Sequence, residues 1–375
     1  MIKVLHVLGS LNCGGAETLV VNWWHTIDRS NFQFDFLVYG NEKGFYEDMV
    51  ESLGSHVIHI PKPSINYLSF YHNVVYAVQD GHYDVVHVHT LFNGGFVLKA
   101  AKQCGVPIRI SHSHTTQNKE VKEFNPLLTV YEKVMRHWIL KCATHFLACG
   151  LQAGKFLYGD KVFDQKGTIL YNGIIPEQFK YDPAVRSQQR IALQIKSNDL
   201  VIGHIGRFTE VKNHAFLVRV FASLVEQEDN CKLLLIGDGP LRQTIENLSI
   251  NLGVRDKVIF AGMCSDVAPY LQMMDVMLFP SLFEGIPMAL IEAQANGLPC
   301  LVSDTVSHEI KVLKKTKFIR LDDGEVYWKD FLLHMMPFLR EKRAVELVAN
   351  SPFNLRKSIE KLQSIYQEVM GEVNR

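Results

Sequence analysis

The sequence predicts an α/β protein with two doubly wound domains, each built on a parallel sheet. Short apolar runs rich in β-branched residues alternate with helical patterns, which is typical of parallel strands covered by helices on both faces. The alternation lapses between Ile175 and Asp199, and a new strand pattern begins at Leu200. The length of 375 residues also exceeds that of a usual single core. We therefore predict a first domain at 1–180 and a second at 190–350.

Each predicted domain begins with a strand, a glycine-containing loop and a helix. The predicted strands of the first domain are Val4–Leu8, Phe34–Val38, Val57–Ile60, Asp84–His89, Ile108–Ser113, His145–Cys149 and Thr168–Tyr171. Those of the second are Leu200–Ile205, Lys232–Ile236, Val258–Ala261, Val276–Pro280 and Pro299–Ser303. Apolar residues at i, i+3, i+4 and i+7 between Ala16 and Ile27 indicate the first helix. A last helix, at 353–375, has one apolar face, which we expect to pack on the first domain.

Composition and charge exclude several classes of protein. Apolar residues make up 47% of the chain and charged residues 21%, which is typical of a globular protein. Lys plus Arg and Asp plus Glu are equal at 39 each, so no basic field indicates a nucleic-acid partner. The seven cysteines are scattered and never spaced as CxxC, which favours reduced thiols over disulfides or structural zinc.

The sequence predicts neither a signal peptide nor a membrane span. The first apolar run, from Met1 to Gly9, is too short and too soon interrupted for a signal peptide. No apolar run reaches the roughly 18 to 20 residues of a spanning helix. We therefore expect a cytoplasmic protein that is at most peripheral to a membrane.

The most informative segment, Pro280 to Ala293, contains two carboxylates, Glu284 and Glu292. Pro287 suits the first position of a helix, and the free N–H groups of a first turn form an anion site. Glu284 would precede that turn, and Glu292 would lie inside the helix with its side chain tilted back towards the N-terminus. A ligand that is part phosphate and part polyhydroxyl, such as a nucleotide-sugar, fits this set of groups.

Two further loops follow predicted strands of the second domain. Arg207 and Lys212 lie just beyond the carboxyl end of a strand, where open α/β sheets bind ligands. A guanidinium and an ammonium group at this position suit a diphosphate, although surface ion pairs are the alternative. The segment Gly237-Asp238-Gly239 follows the next strand and suits contact with a base or ribose.

The first domain contains weaker motifs. Gly14 and Gly15, between the first strand and the first helix, allow a ligand to approach the backbone closely, although a tight turn explains them equally well. Their spacing is not GxGxxG, so a dinucleotide site is not supported. Asn172 belongs to a Tyr-Asn-Gly turn and is only secondarily a candidate ligand contact.

Histidines alternate on two predicted strands of the first domain. His87 and His89 share one face, as do His112 and His114. Four imidazoles at neighbouring strand ends are candidate ligands of a transition metal, but no carboxylate or thiolate accompanies them at a recognised spacing, so we predict no metal. His114 is the candidate for a hydrogen bond to a polar ligand, together with the hydroxyls of Ser113, Thr115 and Thr116. The other histidines are interpreted as structural.

In type and order these motifs resemble those of the retaining, GT-B-fold glycosyltransferases of family 4, and within it the bacterial exopolysaccharide and capsular polysaccharide members. The resemblance extends over nearly the whole chain, and its most specific element is Glu284 to Glu292. The supporting motifs are Gly14 to Glu17, Ser111 to His114, Asn172-Gly173, Gly206-Arg207 with Lys212, and Gly237 to Gly239. Ile286-Pro287-Met288 departs from the commoner Phe-Gly-Leu type of sequence, which leaves the sugar open.

The resemblance implies two Rossmann-like domains facing a cleft, with the donor held mainly by the C-terminal one. Arg207 and Lys212 would contact the donor diphosphate. Glu284 would face the sugar hydroxyls, and Glu292 would take the ribose hydroxyls. The remaining implied donor contacts are the N–H groups of Gly285 and Ile286, the turn at Pro287, and Gly14 and Gly15 from the other domain. The active-site histidine would be His114, with His112 as the alternative.

The resemblance also implies the reaction. A hexose or N-acetylhexosamine would move from a nucleotide-sugar, with UDP favoured, to a lipid-linked oligosaccharide. The anomeric configuration would be retained through same-face attack, without a metal, a DxD motif or a cofactor. A lipid acceptor would bring the basic and apolar segment Lys119–Lys141 to an anionic membrane surface. An ordinary amphipathic helix is the alternative for that segment.

Two other functions stay open at the level of sequence. A UDP-sugar epimerase of the same fold would interconvert the free nucleotide-sugar without an acceptor. A non-catalytic, two-lobed sugar-binding protein would bind its ligand without turnover.

Overall fold

The computed structural model describes residues 1–62, 66–115, 126–264 and 266–372. The chain forms two compact units. The first comprises Met1–Gly173 and Leu355–Arg375, and the second comprises Ile174–Asn354. Within the described ranges, no helix combines the length and the apolar character needed to cross a bilayer.

The first unit is built on a sheet of seven strands, and every neighbouring pair is parallel. The strands are β1 (Ile2–Val7), β2 (Phe32–Tyr39), β3 (Val57–Ile60), β4 (Val85–Val88), β5 (Ile108–Ser113), β6 (His145–Ala148) and β7 (Gly167–Ile169). Their order in the sheet is β3-β2-β1-β4-β5-β6-β7. All seven predicted strands of this unit are present, because near-continuous apolar runs are buried on both faces of a parallel sheet.

Helices cover the first sheet. They are α1 (Gly15–Thr26), α2 (Glu47–Ser52), α3 (Tyr67–Gly81), α4 (Gly94–Gln103), α5 (Pro126–Cys142), α6 (Leu151–Tyr158) and α7 (Asp160–Lys166). The predicted apolar stripe of α1 is buried in the core, with Trp23 and Trp24 at 0% and 1% exposure. Two fully buried indoles contribute a large share of the apolar area that stabilises this unit.

The second unit repeats this architecture with six parallel strands. These are β8 (Leu200–Ile205), β9 (Cys231–Ile236), β10 (Val258–Gly262), β11 (Val276–Phe279), β12 (Cys300–Ser303) and β13 (Thr316–Ile319), in the order β10-β9-β8-β11-β12-β13. The helices are α8 (Pro183–Ala192), α9 (His214–Val225), α10 (Arg242–Asn251), α11 (Ala268–Met273), α12 (Met288–Ala295), α13 (Gly324–His334) and α14 (Ala344–Asn350). The predicted doubly wound α/β class is confirmed in both units.

Strand β13 was missed by the sequence prediction. It lies at the edge of the second sheet and pairs only with β12. Lysines at 314, 315 and 317 give it the charged character that protects edge strands and hides their apolar pattern. Thr316 is nonetheless fully buried, and its hydroxyl donates to Gln294 Oε1 at 2.9 Å.

The N-terminal segment of the first unit ends at Gly173, before the predicted boundary at residue 180. The backbone N–H of Ile174 donates to the Phe353 carbonyl at 2.9 Å. The buried amide of Asn296 donates to the Phe179 carbonyl at 2.8 Å. These hydrogen bonds attach residues 174–179 to the second unit.

The last helix, α15 (Leu355–Glu372), returns to the first unit and packs against α1 and β5. Its apolar face is buried, with Leu362 and Tyr366 fully covered. Glu368 Oε2 lies within hydrogen-bond distance, 3.0 Å, of His145 Nε2 of β6. Spacing in the sequence predicted the apolar face, and the fold shows which sheet it covers.

Candidate active site

In the second unit, the predicted donor residues cluster at one edge of the sheet. The chain runs outward from β8 through β9 to β10 and then returns to place β11 on the other side of β8. Strand order therefore reverses between β8 and β11, and open α/β sheets bind ligands at such a switch point. The loops that follow β8, β9 and β11 carry Arg207, Lys212, Gly237 to Gly239 and Glu284.

Lys212 and Glu284 meet at this edge. Lys212 Nζ lies 2.5 Å from Glu284 Oε1, and the two side chains are only 20% and 18% exposed. The ammonium also lies 5.1 Å from the centre of the Phe279 ring, a cation–π distance. A partly desolvated ammonium is thus held in place between a carboxylate and an aromatic face.

Backbone hydrogen bonds fix the two loops that carry this ion pair. The Leu282 N–H donates to the Val211 carbonyl at 2.8 Å. The Asn213 side chain donates to the Pro280 carbonyl at 3.1 Å, from a residue in the left-handed conformation with φ of 53°. Because asparagine tolerates that conformation, Asn213 can end the turn and tie it to the next loop. Asn213 was not among the predicted site residues.

Arg207 lies five positions before Lys212 and is exposed. Within the described ranges its guanidinium has neither an ion-pair partner nor a hydrogen-bond partner, in contrast to Lys212. An uncommitted guanidinium at the switch point can bind an anion without first breaking an existing ion pair.

The loop after β9 is glycine-rich for a structural reason. Gly237 has φ of +130°, and a Cβ there would lie 2.2 Å from the Gly206 carbonyl oxygen. The adjoining Phe208 N–H donates to the Asp238 carbonyl at 3.0 Å, so the loops after β8 and β9 pack backbone to backbone. Gly237 therefore has a packing role whatever its contact with a ligand.

Gly285 and Gly15 differ from Gly237. A Cβ at either position would have no heavy atom within 4 Å. Packing inside the protein therefore does not explain these two glycines, and each leaves its backbone open to close approach by a ligand.

The helix after Glu284 begins one residue later than predicted. α12 starts at Met288, and Pro287 is its N-cap with φ of −73° and ψ of 111° instead of its first helical residue. The Glu284 backbone is fixed by the Ser307 N–H, which donates to its carbonyl at 3.1 Å. Gly285 and Ile286 thus lie between Glu284, whose carbonyl is hydrogen-bonded, and the start of α12.

Glu292 lies in α12, as predicted, and is half-buried. Burial raises the pKa of its carboxyl to about 7, and the nearby charge of Asp266 adds to the rise. The ordinary value is 4.5. Near neutral pH this group can therefore both donate and accept a hydrogen bond, as a diol ligand requires.

We expect Glu292→Gln to stabilise the fold at pH 8 but much less at pH 5. The folded state keeps the Glu292 proton up to about pH 7, whereas the unfolded chain loses it near pH 4.5. The folded state binds more protons in this window, so the Glu292 contribution to stability falls as pH rises through it. Because Glu292 is partly exposed to solvent, the stabilisation expected from Glu292→Gln is roughly 1 to 3 kcal/mol at pH 8. Urea unfolding at both pH values measures it, with exposed Glu226→Gln as control. Equal effects at both pH values would contradict the assignment.

In the first unit, Gly14 and Gly15 lie where predicted, at the start of α1. Gly14 is the N-cap, with extended φ and ψ of −127° and 164°. A Cβ on Gly14 would meet only the movable end of the Glu17 side chain. Burial raises the pKa of the Glu17 carboxyl, which makes its charged form less favoured over this helix start.

Asn172 lies three residues beyond β7, near the end of the first unit. Its side-chain oxygen is buried, and no described residue donates a hydrogen bond to it. A buried acceptor without a partner is unusual in a folded protein, which is consistent with a ligand contact.

The predicted histidines come together at the centre of the first sheet. His87 and His89 are buried and paired at both ring nitrogens, as expected of structural residues. His112 is 1% exposed, whereas His114 is partly exposed. Thr116, which was grouped with His114, lies outside the described residues.

Two members of this cluster were missed. His6 is aligned with His87 across the pairing of β1 and β4, and Tyr366 of α15 donates to or accepts from His87 Nδ1 at 2.7 Å. His6 is a single histidine within the predicted strand Val4–Leu8, which was the available signal. No sequence signal indicated Tyr366, apart from its place on the apolar face of the last helix.

Metal binding at these histidines was not predicted. Two sets of three imidazoles have ligand atoms within 4.8 Å of one another, namely His6 with His87 and His89, and His89 with His112 and His114. His6 is hydrogen-bonded to His89 in the first set and His89 to His114 in the second, so a metal bound at these atoms would replace a hydrogen bond between ring nitrogens.

Comparison with known proteins identifies the family. Residues 13–178 match the family model described as Glycosyltransferase Family 4, and residues 185–324 match Glycosyl transferases group 1. The chain is 36% identical over 370 residues to EpsF of Bacillus subtilis (strain 168), covering 97% of this chain and 96% of EpsF. EpsF is itself named as a glycosyltransferase. The chain belongs to the family 4 glycosyltransferases.

Two other similarities extend this result. The glycosyltransferase is 26% identical over 311 residues to the UDP-Gal:alpha-D-GlcNAc-diphosphoundecaprenol alpha-1,3-galactosyltransferase of Escherichia coli, covering 77% of this chain and 76% of that one. It also superimposes on Anabaena HepE, solved in complex with UDP, with a TM-score of 0.78 and 17% identity, covering 98% of this chain and all of HepE. At that identity the likeness to HepE shows the GT-B fold alone.

Proposed function

We propose that this glycosyltransferase moves a hexose or N-acetylhexosamine from a UDP-sugar to a lipid-linked oligosaccharide in exopolysaccharide or capsule synthesis. The observation that carries the proposal is the Lys212–Glu284 ion pair, which lies with uncommitted Arg207 at the switch point of the second sheet. Cations for a diphosphate and a carboxylate for sugar hydroxyls are therefore placed together. The Escherichia coli relative, whose name specifies UDP-galactose and a diphosphoundecaprenol acceptor, supports the two substrate classes.

Charge development explains why these cations matter. Glycosyl transfer leaves negative charge on the departing diphosphate, and fixed donors aimed at a developing anion are an efficient form of assistance. Glu284 and the Phe279 ring hold Lys212 beside the site, and an ammonium has three N–H donors, so Lys212 can keep its contact with Glu284 while it donates to a phosphate oxygen. Arg207 adds a planar fork suited to phosphate oxygens. We propose that these cations and the start of α12 stabilise the leaving group without a metal or a cofactor.

Glu284 and Glu292 bind the two hydroxyl-bearing parts of the donor in this proposal. Glu284 accepts hydrogen bonds from the transferred sugar, beside the N–H groups of Gly285 and Ile286. Glu292 binds the ribose, because a carboxyl with a pKa of about 7 can both donate to and accept from a diol. Asp238, Gly239 and Asn172 complete the donor contacts, and Gly14 and Gly15 border the diphosphate.

His114 is the proposed catalytic histidine. It follows β5 and is partly exposed, whereas His112 is buried, which favours His114 as the residue that a substrate reaches. Burial lowers the pKa of His114 to about 3, so the ring is neutral and hydrogen-bonds without a charge. We propose a retaining reaction, in which the acceptor attacks the face that the diphosphate leaves.

An exposed apolar stripe on α5 supports contact with the inner face of the cytoplasmic membrane. Leu127, Val130 and Val134 are 82%, 60% and 41% exposed and follow i, i+3, i+7 spacing, with exposed Lys133 beside them. Arg136, which the prediction included, instead donates to the carbonyls of Phe156 and Leu157. The predicted residues 119–125 lie outside the described part of the chain. Co-sedimentation with anionic vesicles tests this contact, and no greater binding than to neutral vesicles would exclude it.

A combined binding and transfer assay tests the proposal. A UDP-sugar should raise the melting temperature, because a ligand at 100 times its Kd stabilises the native state by about 2.7 kcal/mol. GDP- and ADP-sugars serve as the matched ligands. UDP release should then require a polyprenyl diphosphate-linked sugar, proceed in EDTA, and give a product with the donor's anomeric configuration. Interconversion of free UDP-sugar would instead indicate an epimerase, and binding without turnover a sugar-binding protein.

A further inference from the structure

The histidine cluster of the first unit forms an unbroken chain of hydrogen bonds. Its six members, in order, are His112, His87, Tyr366, His6, His89 and His114. The successive donor–acceptor distances are 3.1, 2.7, 3.5, 3.0 and 2.8 Å. Each inner imidazole uses both ring nitrogens in the chain, and the Tyr366 hydroxyl joins the two halves.

All five imidazoles are neutral. Burial lowers the pKa of His6 and His114 to about 3. It also holds the pKa values of His87, His89 and His112 well below the ordinary value of 6.5. A neutral imidazole has one N–H donor and one bare nitrogen acceptor, so each ring carries a single proton in the chain.

Counting protons shows what this arrangement requires. Five neutral imidazoles and one hydroxyl carry six protons, and the chain contains five hydrogen bonds that each need one. One proton is left for the two ends. Those ends are His112 Nε2 and His114 Nδ1, both buried and without a hydrogen-bond partner among the described residues.

We propose that this chain couples the tautomer of His114 to that of His112, so that one of the two terminal nitrogens carries a proton and the other is bare. Changing the state shifts each of the five shared protons across its own hydrogen bond. One proton is taken up from water at one end and one is released to water at the other, so the net charge is unchanged. His89, His6, Tyr366 and His87 are positioning residues, since they act on the reaction only through His114.

The consequence for catalysis rests on the proposed role of His114. His114 Nδ1 is buried, so a substrate group reaches it only when neighbouring groups move aside. With the proton on His114 Nδ1, the ring then offers a substrate oxygen a hydrogen-bond donor. With the proton on His112 Nε2, the same atom of His114 becomes an acceptor for a hydroxyl group. The buried chain thus selects which kind of group His114 can bind, without placing a charge in the site.

Nitrogen-15 NMR of the full-length protein labelled at histidine tests the coupling without any substrate. Protonated and bare ring nitrogens have distinct shifts, so the proton occupancies of His114 Nδ1 and His112 Nε2 can be measured separately. We expect the two occupancies to sum to one in the wild-type protein. Both ends protonated, or both bare, would overturn the proposal.

Tyr366→Phe provides the second test, because it removes the only hydroxyl that joins the two halves. The proton occupancies of His114 Nδ1 and His112 Nε2 should then vary independently, and their sum should differ from one. Tyr83→Phe is the matched control, since Tyr83 is a buried tyrosine of the same unit whose hydroxyl bonds Asp35 outside the chain. A sum of one in the Tyr366→Phe variant would contradict the chain. Normal transfer by His114→Ala with a sum of one in the wild type would instead reject only the catalytic role of His114.

Discussion

Lys212→Ala is expected to lower kcat by roughly two to three orders of magnitude, the cost of losing one preorganised donor to a developing anion. The effect should fall on kcat more than on KM, because the leaving diphosphate gains negative charge only as the bond breaks. Arg207→Ala should act in the same direction. Lys212→Arg keeps the charge and should recover part of the activity.

The fold should persist in these variants. Lys212 and Glu284 are largely covered, so the loss of their ion pair should cost about 1 to 3 kcal/mol, which is less than the stability of a typical domain. Lys257→Ala is the matched control. Lys257 pairs with Asp229 at the opposite edge of the same sheet, just before β10 and β9 begin. Steady-state kinetics of Lys212→Ala, Arg207→Ala, Lys212→Arg and Lys257→Ala, compared with the wild type, measures these effects. Wild-type turnover in both Lys212→Ala and Arg207→Ala would refute the assigned roles.

The largest expected loss of stability follows from Asp275→Ala in the second unit. Asp275 accepts from Arg186 at 2.5 Å, from Arg190 at 2.7 Å and from the Val201 N–H at 2.8 Å. Arg190 is only 3% exposed, so the substitution leaves a buried guanidinium without its counter-charge. Breaking a buried pair in this way costs about 3 kcal/mol or more.

Urea unfolding followed by fluorescence measures this change. The transition of the second unit should shift to lower urea, and UDP-sugar binding to this unit should fail at the same concentration. Exposed Asp256→Ala is the control, with an expected change within about 0.5 kcal/mol. An unchanged midpoint for Asp275→Ala would show that the backbone carbonyls around Arg190 suffice to hold its charge.

Local patterns account for much of what could be predicted. Twelve strands, the stripe of α1 and the position of Glu292 inside a helix depend on periodicity and on proline and glycine, which act over a few residues. Since ligands in open α/β sheets bind at the carboxyl ends of the strands, the positions of Arg207 and Lys212 just beyond a strand also marked them as candidate ligand contacts. The edge strand β13 was not predicted, because its lysines interrupt the apolar run.

Contacts between distant segments could not be predicted in the same way. The Lys212–Glu284 ion pair depends on β8 and β11 being neighbours, and the same pattern of strands is compatible with other orders. Arg136 was assigned to a membrane surface because nothing in its helix shows that the end of α6 will offer two carbonyls.

By itself, the sequence determined which segments are strands and helices, that two α/β domains form, and which family's motifs the chain carries. The tertiary structure alone decided the order of the strands, and with it the joining of His6 and Tyr366 to the other histidines. Secondary structure follows from short-range backbone and side-chain preferences. Strand order and side-chain pairing follow from packing between residues as far apart as His87 and Tyr366, which no local pattern encodes.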